Sequence, residues 1–191
     1  MRVRRSRLVA VVAAVACVAL AATAVQVSEA GPEFQEVRGV VGTPAAVEDG
    51  EVVVEDVRVG TRLTRSGEVM DTTPGAFVVL AVTVRATGSH DILYSDSRLL
   101  TRGERVYDEF GTQSSRAAPG FAERSDYVFE VDPLAVDDLT LELRRLEIIS
   151  GFQQRVRIHL GITPANAVAW RDAAAGRSVE VETSSRTEAL R

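Results

Sequence analysis

The chain has 191 residues, with 22 basic residues that are all arginine, 27 acidic residues and a formal net charge of −5. Four of the arginines precede Leu8, so the remainder holds 18 basic against 27 acidic residues and carries a charge of −9. An acidic body of this kind argues against binding to nucleic acid or to anionic surfaces. Cys17 is the sole cysteine, which excludes disulfides and thiolate metal sites from the rest of the chain.

The N-terminus joins a basic segment to an apolar one. Arginines occupy positions 2, 4, 5 and 7, and residues 8–27 carry no charge. A helix of that length, at about 1.5 Å rise per residue, matches a hydrocarbon core of roughly 30 Å, and flanking arginine stays on the cytoplasmic side. We therefore expect residues 1–7 to be cytoplasmic, residues 8–27 to form a transmembrane anchor and the rest to be extracytoplasmic.

A cleaved signal peptide explains the same pattern. Small-x-small sites occur at Ala22–Ala24 and at Ser28–Ala30, and cleavage at either site gives a secreted protein. The anchor is slightly favoured because the apolar run exceeds the usual h-region of ~7–15 residues. A lipidated Cys17 is a third and weaker alternative, since the residues that follow it stay mostly apolar.

Beyond residue 27 the composition predicts four segments: a linker at 28–35, one domain at 36–163, a short helix at 164–173 and a disordered tail at 174–191. Thr163 before Pro164 is typical of a helix N-cap followed by proline in the first turn. The tail is rich in arginine, glutamate and serine, a composition that disfavours a packed core.

Within the domain, β-branched runs bounded by turn residues predict eight strands, at 36–41, 51–59, 76–86, 97–101, 105–109, 121–131, 138–148 and 154–161. Arg102-Gly103 suits a tight hairpin. Residues 155–160 alternate between polar and apolar, which indicates one wet and one dry face. Short strands without long helices predict an all-β fold, an immunoglobulin-like antiparallel β-sandwich of about seven or eight strands.

The apolar pattern also predicts which strand is central and where strands bend. Residues 76–84 are apolar on both faces, as in a central strand. The apolar phase slips between Val54 and Val57 and between Leu143 and Leu146, which indicates β-bulges or strands that change sheet. The predicted core residues are Phe77, Val78, Leu80, Val82, Tyr127, Phe129, Val131 and Leu141.

Several segments together support a family resemblance. Residues 73–84 (TPGAFVVLAVTV), 99–107, 119–121 and 127–131 (YVFEV) resemble strands, a hairpin and a turn of a group of actinobacterial exported proteins of unknown function. That group has a telokin-like, immunoglobulin-like β-sandwich. The resemblance covers about residues 36–162 and implies a fold and a location. It implies no catalytic residue.

Three patterns in the sequence contain residue types that could support catalysis or metal binding. Ser89-His90-Asp91 contains the residue types of a catalytic triad, but three consecutive residues cannot place the base between nucleophile and acid. Two acidic groups, at residues 48–56 and 132–138, lack the spacing of a calcium loop. His159 and His90 are too far apart in sequence to indicate zinc. We therefore expect no catalytic residue, metal or cofactor.

The remaining candidate is an interaction patch. It consists of basic residues that share one sheet face if the last two strands pair, together with the sole tryptophan: Arg144, Arg155, Arg157, His159 and Trp170. The alternative for the arginines is cross-strand pairing with Glu142, Glu147 or other acids, and we favour it. Trp170 either covers the rim of the core or anchors an interface.

These observations predict a non-catalytic, extracytoplasmic protein-interaction module, tethered by residues 8–27 and facing a membrane or cell-envelope protein partner. The alternative is a secreted soluble binder of a small ligand or an envelope component. An envelope enzyme is a third and weaker hypothesis.

Overall fold

The computed structural model describes residues 34–103, 105–111, 114–145, 153–182 and 184–191. Within them the chain forms twelve strands and one α-helix, in the order β1 (Phe34–Val40), β2 (Ala45–Val47), β3 (Gly50–Arg65), β4 (Glu68–Ala86), β5 (Ile92–Leu100), β6 (Val106–Asp108), β7 (Ser115–Ala117), β8 (Phe121–Val131), β9 (Thr140–Arg145), β10 (Gln153–His159), α1 (Ala167–Ala174), β11 (Ser178–Glu180) and β12 (Arg186–Ala189). The predicted segments 1–7 and 8–27, and the linker up to residue 33, lie outside the described residues. None of the helices in the described ranges has the length and apolar character needed to cross a membrane.

The strands build two six-stranded sheets. In sheet 1 the order is β1-β10-β9-β5-β6, with β7 also beside β5. In sheet 2 it is β11-β3-β4-β8-β12, with β2 also beside β3. Most ladders are antiparallel, but β1 runs parallel to β10 and β11 runs parallel to β3. The predicted all-β sandwich is confirmed, with more strands than predicted because β2, β7, β11 and β12 are too short to show a period in sequence.

The main core lies between the sheets. Every predicted core residue is buried, with 2% or less of its surface exposed. On β4, Val78, Leu80 and Val82 point into this core, while Phe77 points to the opposite face of sheet 2. β4 pairs with β3 on one side and β8 on the other, which confirms the predicted central strand.

The outer face of sheet 2 carries a second apolar cluster. It contains Leu63, Phe77, Val79, Val128, Val179 and Val181. Phe110 stacks edge-on against Phe77, with ring centroids 5.7 Å apart. The cluster explains why residues 76–84 are apolar on both faces, since each face has its own apolar cover.

The prediction that residues 174–191 are disordered was wrong for most of that segment. β11 pairs with β3 from Ser178↔Arg62 to Glu180↔Thr64, and β12 pairs with β8. Val179 and Val181 are each 3% exposed. A polar composition predicted disorder, but two valines suffice to cover the apolar face of a sheet that already exists.

Two local predictions are confirmed. The register of β3 against β4 shifts between Val54 and Asp56, where the apolar phase slips. β5 and β6 form the predicted antiparallel hairpin, but the Thr101 amide donates to the Arg105 carbonyl at 3.0 Å, so the connection is longer than the two-residue turn Arg102-Gly103. The second predicted slip, at residues 143–146, extends beyond the described residues.

The helix begins later than predicted. Asn166 is the N-cap residue of α1, and its side-chain oxygen accepts from the Thr163 amide at 2.7 Å. The turn at residues 163–166 therefore precedes the helix, and Pro164 lies in that turn. Ala167 and Ala174 are buried against the core, and Trp170 packs on its rim.

Phe129→Ala tests the core and the register of β8. Phe129 is fully buried, so the truncation is expected to lower the free energy of unfolding by about 3–5 kcal/mol. Glu130, its exposed neighbour, accepts a hydrogen bond from Thr73, and Glu130→Ala should cost about 1 kcal/mol or less. Urea denaturation measures both, and a larger loss for Glu130→Ala would contradict this register.

Tyr94 and Tyr127 are both buried but differ in hydrogen bonding, so their phenylalanine variants can be compared. Burial raises the pKa of both hydroxyls, so each stays protonated. Tyr127 hydrogen-bonds Ser115 at 2.7 Å, whereas the Tyr94 hydroxyl has no partner among the described residues. Tyr127→Phe should cost about 1–3 kcal/mol because the buried Ser115 hydroxyl loses its partner, and Tyr94→Phe should be neutral or stabilising. The reverse order in chemical denaturation would show that Tyr94 holds a bound water.

Candidate functional site

The outer face of sheet 1 brings together four of the five predicted patch residues. Arg155 pairs directly with Arg144 in the β10–β9 ladder, and Arg157 and His159 follow on the same face of β10. Val156 and Ile158 point the other way and are fully buried. The predicted alternation of residues 155–160 is confirmed.

A buried carboxylate organises these arginines. The Glu142 side chain is only 1% exposed. It accepts from Arg144 Nε at 2.9 Å and from Arg157 Nε at 2.8 Å. Because Glu142 lies opposite Arg157 in the ladder, both arginines reach it from neighbouring positions. This is the cross-strand pairing favoured from the sequence.

Glu36 on β1 extends the network. Its carboxylate lies 2.9 Å from Arg155 Nη2, 3.2 Å from Arg157 Nη1 and 2.7 Å from Arg38 Nε. Arg157 therefore bridges two carboxylates with one guanidinium, whose planar fork holds several N–H donors in a fixed geometry. Sequence reasoning missed Glu36, although the alternation of Glu36 and Arg38 about Val37 placed both on one face.

The network fixes the charge of both acids. Burial by itself raises the pKa of Glu142, but hydrogen bonds from Arg157 and Arg144 outweigh it and hold the pKa below the ordinary value. The pKa of Glu36 is lowered chiefly by its hydrogen bond from Arg38, against the opposing effect of burial. Both side chains are therefore carboxylates at neutral pH, and the arginines around them serve as internal counterions.

A cleft of about 630 Å³ lies beside this network, lined by Glu36, Arg38, Arg102, Asp138, Arg157 and His159 among others. Arg102 lies 2.5 Å from Asp138, and His159 Nε2 lies 3.9 Å from the same carboxylate. Arg38 and Arg102 are mostly exposed, at 83% and 73% of the side chain. The cleft thus combines partly buried acids with exposed cationic side chains at its rim.

Trp170 lies apart from these residues. It is half-buried on α1 and lines a separate groove of about 490 Å³ between α1 and β3. The two parts of the predicted patch therefore occupy different surfaces of the domain.

The residues around His90 do not have the geometry of a catalytic triad. Ser89 Oγ lies 3.2 Å and Asp49 Oδ2 3.1 Å from the same His90 nitrogen, Nδ1. A proton relay needs the nucleophile and the acid on opposite ring nitrogens. Asp91 instead accepts from Arg116, and the His90 side chain is 74% exposed. This geometry fits hydrogen bonds that hold two loops together, and it does not fit a catalytic base.

The acidic groups are engaged with arginine. Glu51 pairs with Arg85 at 2.7 Å, Glu55 with Arg124 at 3.1 Å and Asp132 with Arg105 at 2.9 Å. Across the described ranges, three or more acids, histidines or cysteines do not meet in an arrangement that could hold a metal ion.

Glu142→Gln tests the network by pH. Because folding lowers the pKa of Glu142, its ionised form stabilises the fold at any pH above 4.5, the ordinary pKa of glutamate. This stabilisation is lost as the pH falls through the lowered pKa of the folded state. At pH 7 the variant should lose about 1.5–3 kcal/mol of unfolding free energy. Its stability should also fall less steeply than the wild type below pH 4.5. Asp96→Asn, which removes a half-exposed carboxylate on the same face, is the control and should cost about 0.5 kcal/mol. Equal losses for the two variants would contradict a special role for Glu142.

Comparisons with known proteins concern the fold alone. Neither family models nor curated proteins match the chain. An uncharacterised β-sandwich protein of Clostridium difficile shares 10% identity over 65% of this chain and 95% of its own, with a TM-score of 0.42. A candidate lipoprotein (YcdA) of Bacillus subtilis shares 17% identity over 68% of this chain but only 42% of its own, with a TM-score of 0.47. At such scores the β-sandwich assignment rests on the two sheets described above.

Proposed function

We propose that this chain is a non-catalytic, extracytoplasmic protein-interaction module that residues 8–27 tether to the cytoplasmic membrane. The arginines before Leu8 support the orientation, and the length of the apolar run supports the tether. The observation that carries the interaction role is Trp170, a half-buried tryptophan that lines a groove between α1 and β3.

Within the domain, the strand registers separate α1 from Phe34. Phe34, the first described residue, pairs with Gln153 at the start of β10, and α1 follows the end of β10. β10 has seven residues and spans roughly 20 Å at about 3.3 Å per residue.

We further infer that the sandwich is immunoglobulin-like and belongs with the actinobacterial exported proteins that it resembles. The resembling segment 73–84 forms much of the central strand β4, and residues 127–131 lie in β8 beside it. Both segments contribute to the main core. They are therefore the positions at which a shared fold constrains sequence most strongly.

A non-catalytic role is supported by the geometry around His90. Ser89 and Asp49 contact one ring nitrogen, so this arrangement cannot pass a proton from nucleophile to acid. The carboxylates of the sheet 1 face are held by arginines as fixed charges. Their lowered pKa values suit them to ion pairing and not to general acid catalysis at neutral pH.

The cleft on sheet 1 favours a second candidate function. A secreted form, cut after Ala24 or Ala30, could bind a small ligand or an envelope component there, because about 630 Å³ accommodates a small molecule. Arg38 and Arg102 expose most of their side chains at its rim, each beside an acid, Glu36 and Asp138 respectively.

Intact mass of the native protein separates the two forms. The anchored module is expected in the membrane fraction with its N-terminal segment present, and external protease should cut the domain in spheroplasts. A mature chain that starts after Ala24 or Ala30 would contradict the tether, and full protection from protease would contradict the orientation.

Cross-linking of the full chain in membranes tests the interaction role itself. A defined protein should be captured by the wild type and lost when Trp170 is changed to Ala. Loss with Arg102→Glu instead, with Trp170→Ala unaffected, would favour the cleft.

A further inference from the structure

The strands that end the two sheets differ in length. β6 and β11 have three residues each and β12 has four, whereas β1, the first strand of sheet 1, has seven. Very short edge strands are one device by which β proteins avoid pairing with other chains. β1 does not use it, and its sequence also contains no proline. β1 is therefore the edge best suited to pair with another strand.

One side of β1 is open to such a strand. Within the described residues β1 pairs with β10 alone, in a register without a break. In a strand with one neighbour, every second residue points its N–H and C=O groups away from the sheet. Among those described, only the Val40 carbonyl accepts a further backbone bond, from the Thr43 amide at 3.2 Å. A strand added to this side would satisfy the outward-pointing groups.

The side chains of β1 carry one charge of each sign, placed symmetrically about Val37. Val37 packs against the main core, so Glu36 and Arg38 share the opposite, outer face of sheet 1. The Arg38 side chain is 83% exposed although its Nε lies 2.7 Å from Glu36. Val40 lies on the same face and is 54% exposed. The strand therefore combines an accessible cation with an exposed apolar side chain beside an open edge.

We propose that β1 is a homodimerisation edge, at which β1 of a second copy pairs antiparallel with it about a two-fold axis through Val37. In this register Glu36 of each copy lies opposite Arg38 of the other. Val37 lies opposite its own equivalent, and Val40 lies opposite Phe34 at the two ends. Opposite charges and apolar residues that face each other across antiparallel strands stabilise the pairing. The inference goes beyond the proposed function, because it applies to the anchored and to the secreted form.

Charge selects this register over its neighbours. The two-fold axis keeps each face of the sheet on its own side, so opposite residues must share a face and the register moves in steps of two residues. An axis through Glu36 would place Glu36 opposite Glu36 and pair only residues 34–38. An axis through Arg38 would place two arginines opposite each other and pair only residues 36–40. The register centred on Val37 avoids like charges and pairs all seven residues.

A second copy fits this edge better than an unrelated strand, because the charge pattern of β1 is complementary to itself. The two-fold arrangement also uses the β1 edge of both copies at once, so it closes as a dimer and does not continue into a fibre. Seven residues make a small interface. The association should therefore depend on protein concentration.

Cysteine cross-linking tests the register. The experiment uses the full chain in nonionic detergent, with Cys17 changed to Ser so that the introduced thiol is the sole one. Val37→Cys should form a disulfide-linked dimer on oxidation, because directly opposite Cα atoms lie about 4.5–5.5 Å apart, within disulfide range. Gln35 is more exposed but would lie four residues, roughly 13 Å, from its equivalent along the strand. Gln35→Cys should therefore not cross-link.

Charge reversal tests the ion pairs. Arg38→Glu would place glutamate opposite Glu36 in both halves of the dimer, so it should weaken self-association in sedimentation velocity by about tenfold or more. Arg116→Glu is the control and should change self-association by less than about twofold. Arg116 is 70% exposed and lies 2.7 Å from Asp91, so it matches Arg38 in exposure and in having an acid partner. Both variants should unfold near the wild-type urea midpoint, since exposed ion pairs contribute little to stability.

Three results would overturn the proposal. The first is a chain that sediments as a monomer at every concentration. The second is cross-linking of Gln35→Cys as readily as Val37→Cys, which would indicate random collision or another register. The third is a dimer that Arg38→Glu leaves intact, which would assign the association to another part of the chain.

Discussion

β4 carries apolar side chains on both faces, so each face needs its own cover, and this requirement organises the rest of the domain. Sheet 1 covers one face through the main core, which contains Val78, Leu80 and Val82. The C-terminal segment and Phe110 cover part of the other face through the cluster around Phe77. Without the second cover, Phe77 and Val79 would be exposed to water at a cost of about 1.5–3 kcal/mol for each side chain. The C-terminal strands are therefore part of the fold.

On the polar faces of the sheets, arginine side chains satisfy carboxylates that would otherwise be costly to bury. The outer faces of both sheets carry carboxylates held by guanidinium groups, with Glu142 and Asp126 as the most buried examples. A buried carboxylate is costly unless hydrogen bonds satisfy it, and arginine can supply several from one side chain. Arg157 does so for Glu142 and Glu36 at once. Arginines engaged in this way are poorly placed to bind an external partner.

That distinction separates the two surfaces of the predicted patch. On sheet 1, Arg144, Arg155 and Arg157 have internal acid partners, and the more exposed Arg38 and Arg102 at the cleft rim lie beside Glu36 and Asp138. Beside α1, the half-buried indole of Trp170 lines a groove with Val57 and Val59. The two surfaces therefore differ in character: an indole and valines line the groove beside α1, and arginine–carboxylate pairs line the sheet 1 cleft.

The sequence alone determined those features that repeat along a strand. Alternation at residues 155–160, the doubly apolar run at 76–84 and the phase slip after Val54 each depend on neighbours in sequence, and they predicted faces, a central strand and a bulge. Features that depend on partners distant in sequence needed the tertiary structure. Glu36 meets Arg157 only because β1 lies beside β10, and Val179 is buried only because β3 and β4 already present an apolar face.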